Sequence, residues 1–208
     1  MKEAVYSLES GIDLFRGRLL EHSRAFRHCA ILDSFSDKGA VVPVTGVKYD
    51  LIAAFGAREL YRFEEGGFTG LDAFIDRHKG QWILGHAGYD LKNEIEKLQS
   101  RHEDPIGFGL LCFFVPQTLL VLQGSKVTVT AEDPVAEWNR IQSHSFSGSE
   151  KAPAVELHQT TGEKEYLGAV DRALHHIRSG DIYEMNFCHE FHATLHGVDM
   201  PEMAGRLF

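Results

Sequence analysis

A chain of 208 residues with 43% hydrophobic and 25% charged residues can bury a full core, as one large domain or as one domain and part of another, and is not a disordered composition. A formal net charge of -9 excludes broad binding to nucleic acid or to an anionic membrane, which both need clustered Lys and Arg, but leaves room for a small anionic ligand held by local positive charge. Three scattered cysteines (Cys29, Cys112, Cys188) form no CxxC pair and read as buried free thiols of a reducing compartment. The first residues are acidic where a secretion signal is basic and then apolar, and the longest apolar stretch, near Gly109 to Val115, is far too short to span a bilayer. The expected location is therefore cytoplasmic.

In chain order, Cys29-Ala-Ile-Leu is a short apolar run that reads as a buried strand, followed by a turn at Asp37-Lys38-Gly39. Leu71, Phe74 and Ile75 have helical spacing within a segment running to His78. Trp82-Ile-Leu-Gly reads as a strand, and Leu91, Ile95 and Leu98 again have helical spacing. Leu110 to Val115 and Leu119 to Leu122 read as paired strands, and Val127 to Thr130 as a third after a turn at Gly124-Ser125. Trp82 and Trp138 are expected in the core.

His144 to Ala154 is polar, with Gly and Pro, and is the best linker in the chain. It divides residues 1–150, an α+β domain, from 151–208. The clearest helix follows. Thr160 and Glu163 have capping-box spacing, and Tyr166, Leu167, Val170, Ala173, Leu174 and Ile177 make one apolar face. Gly180 stands where a left-handed residue would end the helix. Ile182 to His192 then alternates as a strand. Tyr183, Met185, Phe187, His189 and Phe191 form an apolar face. Ile182, Glu184, Asn186, Cys188, Glu190 and His192 form a polar one, as if lining a cavity. Pro201 opens a helix that nothing stops before Phe208, so the domain is expected to continue.

Cys188, Glu190 and His192 are ligand types on one strand face, but same-face neighbours lie roughly 6.5–7 Å apart, so three in a row rarely converge on one ion. His175 and His176 point about 100° apart on a helix and do not form a pair. Gly85-His-Ala-Gly-Tyr89 lacks the spacing and the Lys of a phosphate loop and reads as a tight turn. Residue patterns alone therefore give an α+β piece with a polar-faced strand, and no reaction.

Arg178-Ser-Gly-Asp-Ile-Tyr-Glu-Met-Asn186 resembles the segment that opens the chorismate-binding domain of aminodeoxychorismate synthase component I and anthranilate synthase component I. Glu184 and Met185 depart from the usual Gln and Val. Trp82-Ile-Leu-Gly-His-Ala-Gly-Tyr-Asp-Leu91, Ala30-Ile-Leu-Asp-Ser34 and Lys48-Tyr-Asp-Leu51 are similar to further segments of that family. Asn186 and the short N-terminal region favour the aminodeoxychorismate type. The resemblance implies an α+β fold of two packed β-sheets with helices outside, with 1–150 as the N-terminal domain and 151–208 as the start of the catalytic one. It implies an enzyme that aminates chorismate with Mg2+, using ammonia from a glutamine amidotransferase subunit, on the way to 4-aminobenzoate and folate. The metal-binding glutamates and the nucleophilic lysine would lie beyond Phe208, so this chain alone is expected to be inactive and to hold no metal. Asn186 is the one residue here expected at the active site. Leu32, Ser34, Lys48, Tyr49, Asp50 and Tyr183 match an amino-acid pocket that takes tryptophan in several relatives.

Overall fold

A computed structural model describes residues 1–35, 49–65, 67–99, 106–146, 155–194, 197 and 199–205. The chain divides into two compact units, Met1–Ser147 with Ala204–Phe208, and Gly148–Met203. The fold is α+β, with a six-stranded antiparallel sheet in the first unit and a two-stranded one in the second.

The large sheet contains β1 (Lys2–Ser7), β2 (Cys29–Asp33), β3 (Leu51–Arg62), β4 (Leu84–Ala87), β5 (Leu111–Gln123) and β6 (Lys126–Ala131), in the order β1-β6-β5-β3-β2, with β4 pairing the far half of β5. Alternation along the strands sorts their side chains. Ala53, Phe55, Leu120, Leu122, Val127 and Val129 share a core with Phe15 and Leu19 of helix α1 (Ile12–Ser23) and Ile141 of helix α4 (Pro134–Ser143). Each such Phe or Leu removed from water contributes about 1.5–3 kcal/mol. The alternate residues Ala54, Leu119, Leu84 and Phe114 form a second cluster, and Tyr61, Leu111 and Val115 a third with Phe74 of helix α2 (Gly67–Arg77). Asp133 caps α4 by accepting the Ala136 N–H at 3.0 Å, ahead of Pro134 in the first turn.

Several expectations are corrected. Leu110 to Leu122 is one long strand rather than two. Pro116, the apparent break, lies opposite Ala57, where the register shifts between Ala57 and Glu59. A β-bulge is where a sheet tolerates a residue without an N–H. The Cys29 run is an edge strand, so Cys29 is exposed and Leu32 56% exposed rather than buried; Cys188 is exposed too, and Cys112 half-buried. Trp82 is 40% exposed, whereas Trp138 stacks on Tyr6 at 4.5 Å beside the core. The Leu91 to Leu98 helix is a 3-10 turn, Tyr89–Leu91, leading into one short turn, α3 (Lys92–Ile95). The turn at Asp37 and most of the 144–154 linker lie outside the described residues.

The second unit pairs β7 (His158–Gln159) with β8 (Phe191–His192) and carries helix α5 (Glu163–Arg178). Its N-cap is Gly162, not Thr160, whose N–H donates instead to the Glu190 carbonyl at 3.3 Å. The stop at Gly180 is as expected. Its φ of 79° is the left-handed turn that glycine adopts without cost, and the Gly180 and Asp181 N–H groups donate to the Ile177 and His176 carbonyls at 3.1 and 3.0 Å. The last helix is α6 (Met200–Gly205). Among the described residues no helix is long and apolar enough to cross a membrane.

Candidate functional site

Four of the six expected pocket residues, Leu32, Ser34, Tyr49 and Asp50, lie where β2 ends and β3 begins, and two of them, Ser34 and Asp50, touch each other. The Ser34 N–H and hydroxyl both donate to the Asp50 carbonyl, each at 2.9 Å. The Asp50 N–H donates to the Leu122 carbonyl at 2.9 Å, and its carboxylate accepts the Gly124 N–H at 2.6 Å. Asp50 thus ties β2, β3 and the β5–β6 turn together. The Ser34 oxygen, having donated its proton, keeps its lone pairs for an incoming donor. Leu32 pairs with Ile52 on the same sheet, and the Tyr49 ring meets Trp82 edge-on at 5.8 Å. Lys48 lies outside the described residues.

This corner rests on a buried ion pair that no local pattern announced. Arg16, 1% exposed on α1, forks onto Asp33 at the end of β2, with Nε and Nη2 at 2.6 and 2.9 Å from the two carboxylate oxygens. A paired fork of this kind is the strong geometry for arginine and carboxylate. Asp33 also accepts the Phe35 N–H at 2.8 Å, immediately beyond Ser34. The Asp33-Ser34 step therefore has one residue anchored to α1 and the next to β3.

A second buried polar group joins α1 to α4. His22, 1% exposed, sets Nε2 at 2.7 Å from Glu137 and Nδ1 at 3.1 Å from His144 Nε2, with its ring edge-on to Phe55 at 4.7 Å. Glu137 also takes an ion pair from Arg140. The His22 hydrogen bond above all holds the Glu137 carboxyl below the usual carboxylate range, and burial, then His22, holds His144 below the usual imidazole range. Because His22 and Glu137 are 115 positions apart, only the fold reveals their pairing.

The remaining site residues lie in the second unit, after α5. Ile182 to His192 is not a strand as a whole. Among the described residues only Phe191 and His192 have ladder partners, with the Glu190 carbonyl accepting the Thr160 N–H just before them. Tyr183 is fully exposed and Asn186 is exposed. The expected two faces persist further along. Phe187 and His189 pack on Tyr166 of α5, with ring centres 5.2 and 5.0 Å apart, and His189 Nε2 donates to the Thr161 carbonyl at 3.1 Å. Asp181, within the Gly180-Asp-Ile-Tyr183 motif, places its carboxylate 2.8 Å from His176 Nδ1 and so fastens the helix end. Among the described residues no three His, Cys, Asp or Glu side chains converge as a metal site would require. The Cys188, Glu190, His192 set therefore does not come together, and no residue here is assigned to Mg2+.

Comparison with known proteins gives the setting for these residues. The chain is 25% identical over 169 residues to the anthranilate synthase component 1 of Thermus thermophilus, a match covering 64% of this chain and 37% of that protein. It is 28% identical over 118 residues to an anthranilate synthase component I-like protein of Synechocystis sp., covering 54% of this chain and 24% of that one. The chain thus spans well under half the length of these relatives. Residues 28–208 match the family model for chorismate binding enzymes, a match that runs from β2 through the Gly180-Asp-Ile-Tyr183 segment, and the chain belongs to that family.

Proposed function

We propose that this chain is part of an enzyme that aminates chorismate, of the aminodeoxychorismate synthase component I type, with residues 1–150 as its N-terminal domain and 151–208 as the start of its catalytic domain. The observation that carries the reading is the Gly180-Asp-Ile-Tyr183 segment with Asn186, held behind a cleanly terminated helix inside a family match from 28 to 208. Chorismate would be the substrate, and a glutamine amidotransferase subunit would supply ammonia. Mg2+ would serve the reaction through residues outside this chain, and the product would feed 4-aminobenzoate and folate synthesis. Asn186 would touch the active site. Leu32, Ser34, Lys48, Tyr49, Asp50 and Tyr183 would form an amino-acid pocket for tryptophan. The Ser34 hydroxyl oxygen could accept from its ammonium, and Tyr49 could pack on its indole.

A second reading has its own support. Both relatives above are named for anthranilate synthase, which favours a tryptophan-branch enzyme. The protein that carries this chain, supplied with chorismate, ammonia and Mg2+, separates the two. Aminodeoxychorismate without pyruvate release supports the first reading, anthranilate fluorescence with pyruvate replaces it by the second, and no chorismate consumption refutes both.

A further inference from the structure

A cleft of about 550 Å3 in the first unit is lined by α1, α4 and the turn that leaves β1. None of its lining residues belongs to the Ser34–Asp50 corner, and no step of the chorismate chemistry above uses it. The turn contributes Glu9 and Ser10, and α1 contributes Arg18. Helix α4 contributes Trp138 and Gln142, which stand four residues apart and so share one face of their helix.

Two nitrogen atoms of this lining, Arg18 Nε and Gln142 Nε2, are buried and have no hydrogen-bond partner among the described residues. Both are donors. Their side chains are joined to each other, because Arg18 Nη1 donates to Gln142 Oε1, and also to the Ser10 hydroxyl at 3.3 Å. That bond turns the Gln142 oxygen to the arginine and leaves its NH2 group over. Among the described residues Arg18 meets only these neutral oxygens, whereas Arg16, two positions earlier, is forked onto a carboxylate. A half-buried guanidinium without an anion is poorly stabilised. Beside an amide donor with nothing to bond, it makes a set of donors that the two oxygens of a carboxylate satisfy. The rest of the cleft selects the body of the ligand. Trp138 stacks on Tyr6 at 4.5 Å, and with Leu8 these rings form an apolar wall, the Tyr6 hydroxyl being taken by the Pro134 carbonyl at 3.4 Å. The exposed Glu9 carboxylate balances the Arg18 charge and disfavours a dianion such as phosphate.

We propose that this cleft binds a small monocarboxylate with a flat apolar body, its carboxylate held by Arg18 and Gln142 and its body laid against Tyr6 and Trp138. The two unpaired donors are themselves withdrawn from water, so the ligand reaches them as the Gln142 amide turns aside and trades the arginine for the incoming oxygen. Titration calorimetry on the chain with benzoate, and with benzamide as its uncharged counterpart, tests the proposal. Benzoate is expected to bind saturably, and benzamide at least about tenfold more weakly. Arg18→Gln is expected to weaken benzoate about tenfold through loss of a charge-assisted hydrogen bond, and Gln142→Met, which keeps the length of the side chain without its amide, by less. Circular dichroism checks the fold of both variants, and Gln142→Met carries the test should Arg18→Gln fail to fold. Benzamide bound as tightly as benzoate, benzoate affinity unchanged in a folded variant of either residue, or no saturable heat from benzoate at millimolar concentration overturns the proposal.

Discussion

Removing Asp33 probes how the candidate pocket is held. The Arg16 side chain is wholly buried and the Asp33 side chain 4% exposed, with the two joined by a two-pronged bridge. Asp33→Ala strips that bridge and leaves the guanidinium inside the protein. Asp13, a further carboxylate on Arg16 at 2.9 Å, is 70% exposed, and its charge is largely screened by water. Taking one partner from a buried pair costs about 3–5 kcal/mol, because the remaining charge stays desolvated. Most of that penalty is the stranded charge rather than the worth of the pair. The double variant Arg16→Met with Asp33→Leu is therefore expected to recover most of the loss. Urea denaturation followed by circular dichroism at pH 7 measures both. A loss under about 1 kcal/mol in Asp33→Ala, or a double variant no better than the single one, would show that Arg16 is solvated or differently paired.

Glu137 and His144 make stability depend on pH in one direction. Each has its folded value below its unfolded one, so the unfolded chain takes up protons first as pH falls. Thermal stability is expected to fall as pH drops below about 6.5, where an unfolded His144 protonates, and again below about 4.3, where an unfolded Glu137 does. His144→Gln should flatten the first limb and Glu137→Gln the second, and unaltered pH profiles would refute the assignment. Gly85→Ala would bring a Cβ to 2.0 Å from the Cys112 carbonyl oxygen, a backbone atom in the neighbouring strand, and should cost at least about 1–3 kcal/mol in a denaturant titration. Asp50→Ala removes the acceptor of the Gly124 N–H and should cost about 1–3 kcal/mol, with tryptophan binding by calorimetry, where present, falling with it.

What could be read from the sequence follows from the range of the interactions. The α5 helix, its stop at Gly180 and the β5–β6 turn are set by neighbours a few positions apart, and they stand where the sequence placed them. Burial was misjudged wherever it depended on sheet order. The Cys29 run is apolar enough for an interior strand, yet it ends at the sheet's edge. Pro116 reads as a strand breaker until the bulge opposite it is known. Capping-box spacing at Thr160 lost to Gly162 because the Thr160 backbone is engaged with Glu190, thirty residues on. The Arg16–Asp33 and His22–Glu137 pairs left no trace in sequence, since single Arg, Asp, His and Glu residues are common and only the fold brings these together.

The same reasoning bears on Asn186 and Tyr183, the residues proposed for the active site and the amino-acid pocket, both of which are exposed. A strand is defined by its partner, and among the described residues the backbone of 182–189 pairs with none, so alternation there describes chemistry without fixing it in place. Only where Phe187 and His189 reach Tyr166 does the pattern become packing. Exposed side chains contribute little to stability, so Asn186→Ala and Tyr183→Ala should each leave the melting of this chain unchanged to within about 0.5 kcal/mol. In the protein that carries the chain, Asn186→Ala should lower chorismate turnover, and Tyr183→Ala should weaken tryptophan binding more than turnover. Unchanged turnover in a well-folded Asn186→Ala protein would remove Asn186 from the active site. A large loss of stability in either variant of the isolated chain would mean that 182–190 is held by contacts its exposure does not suggest.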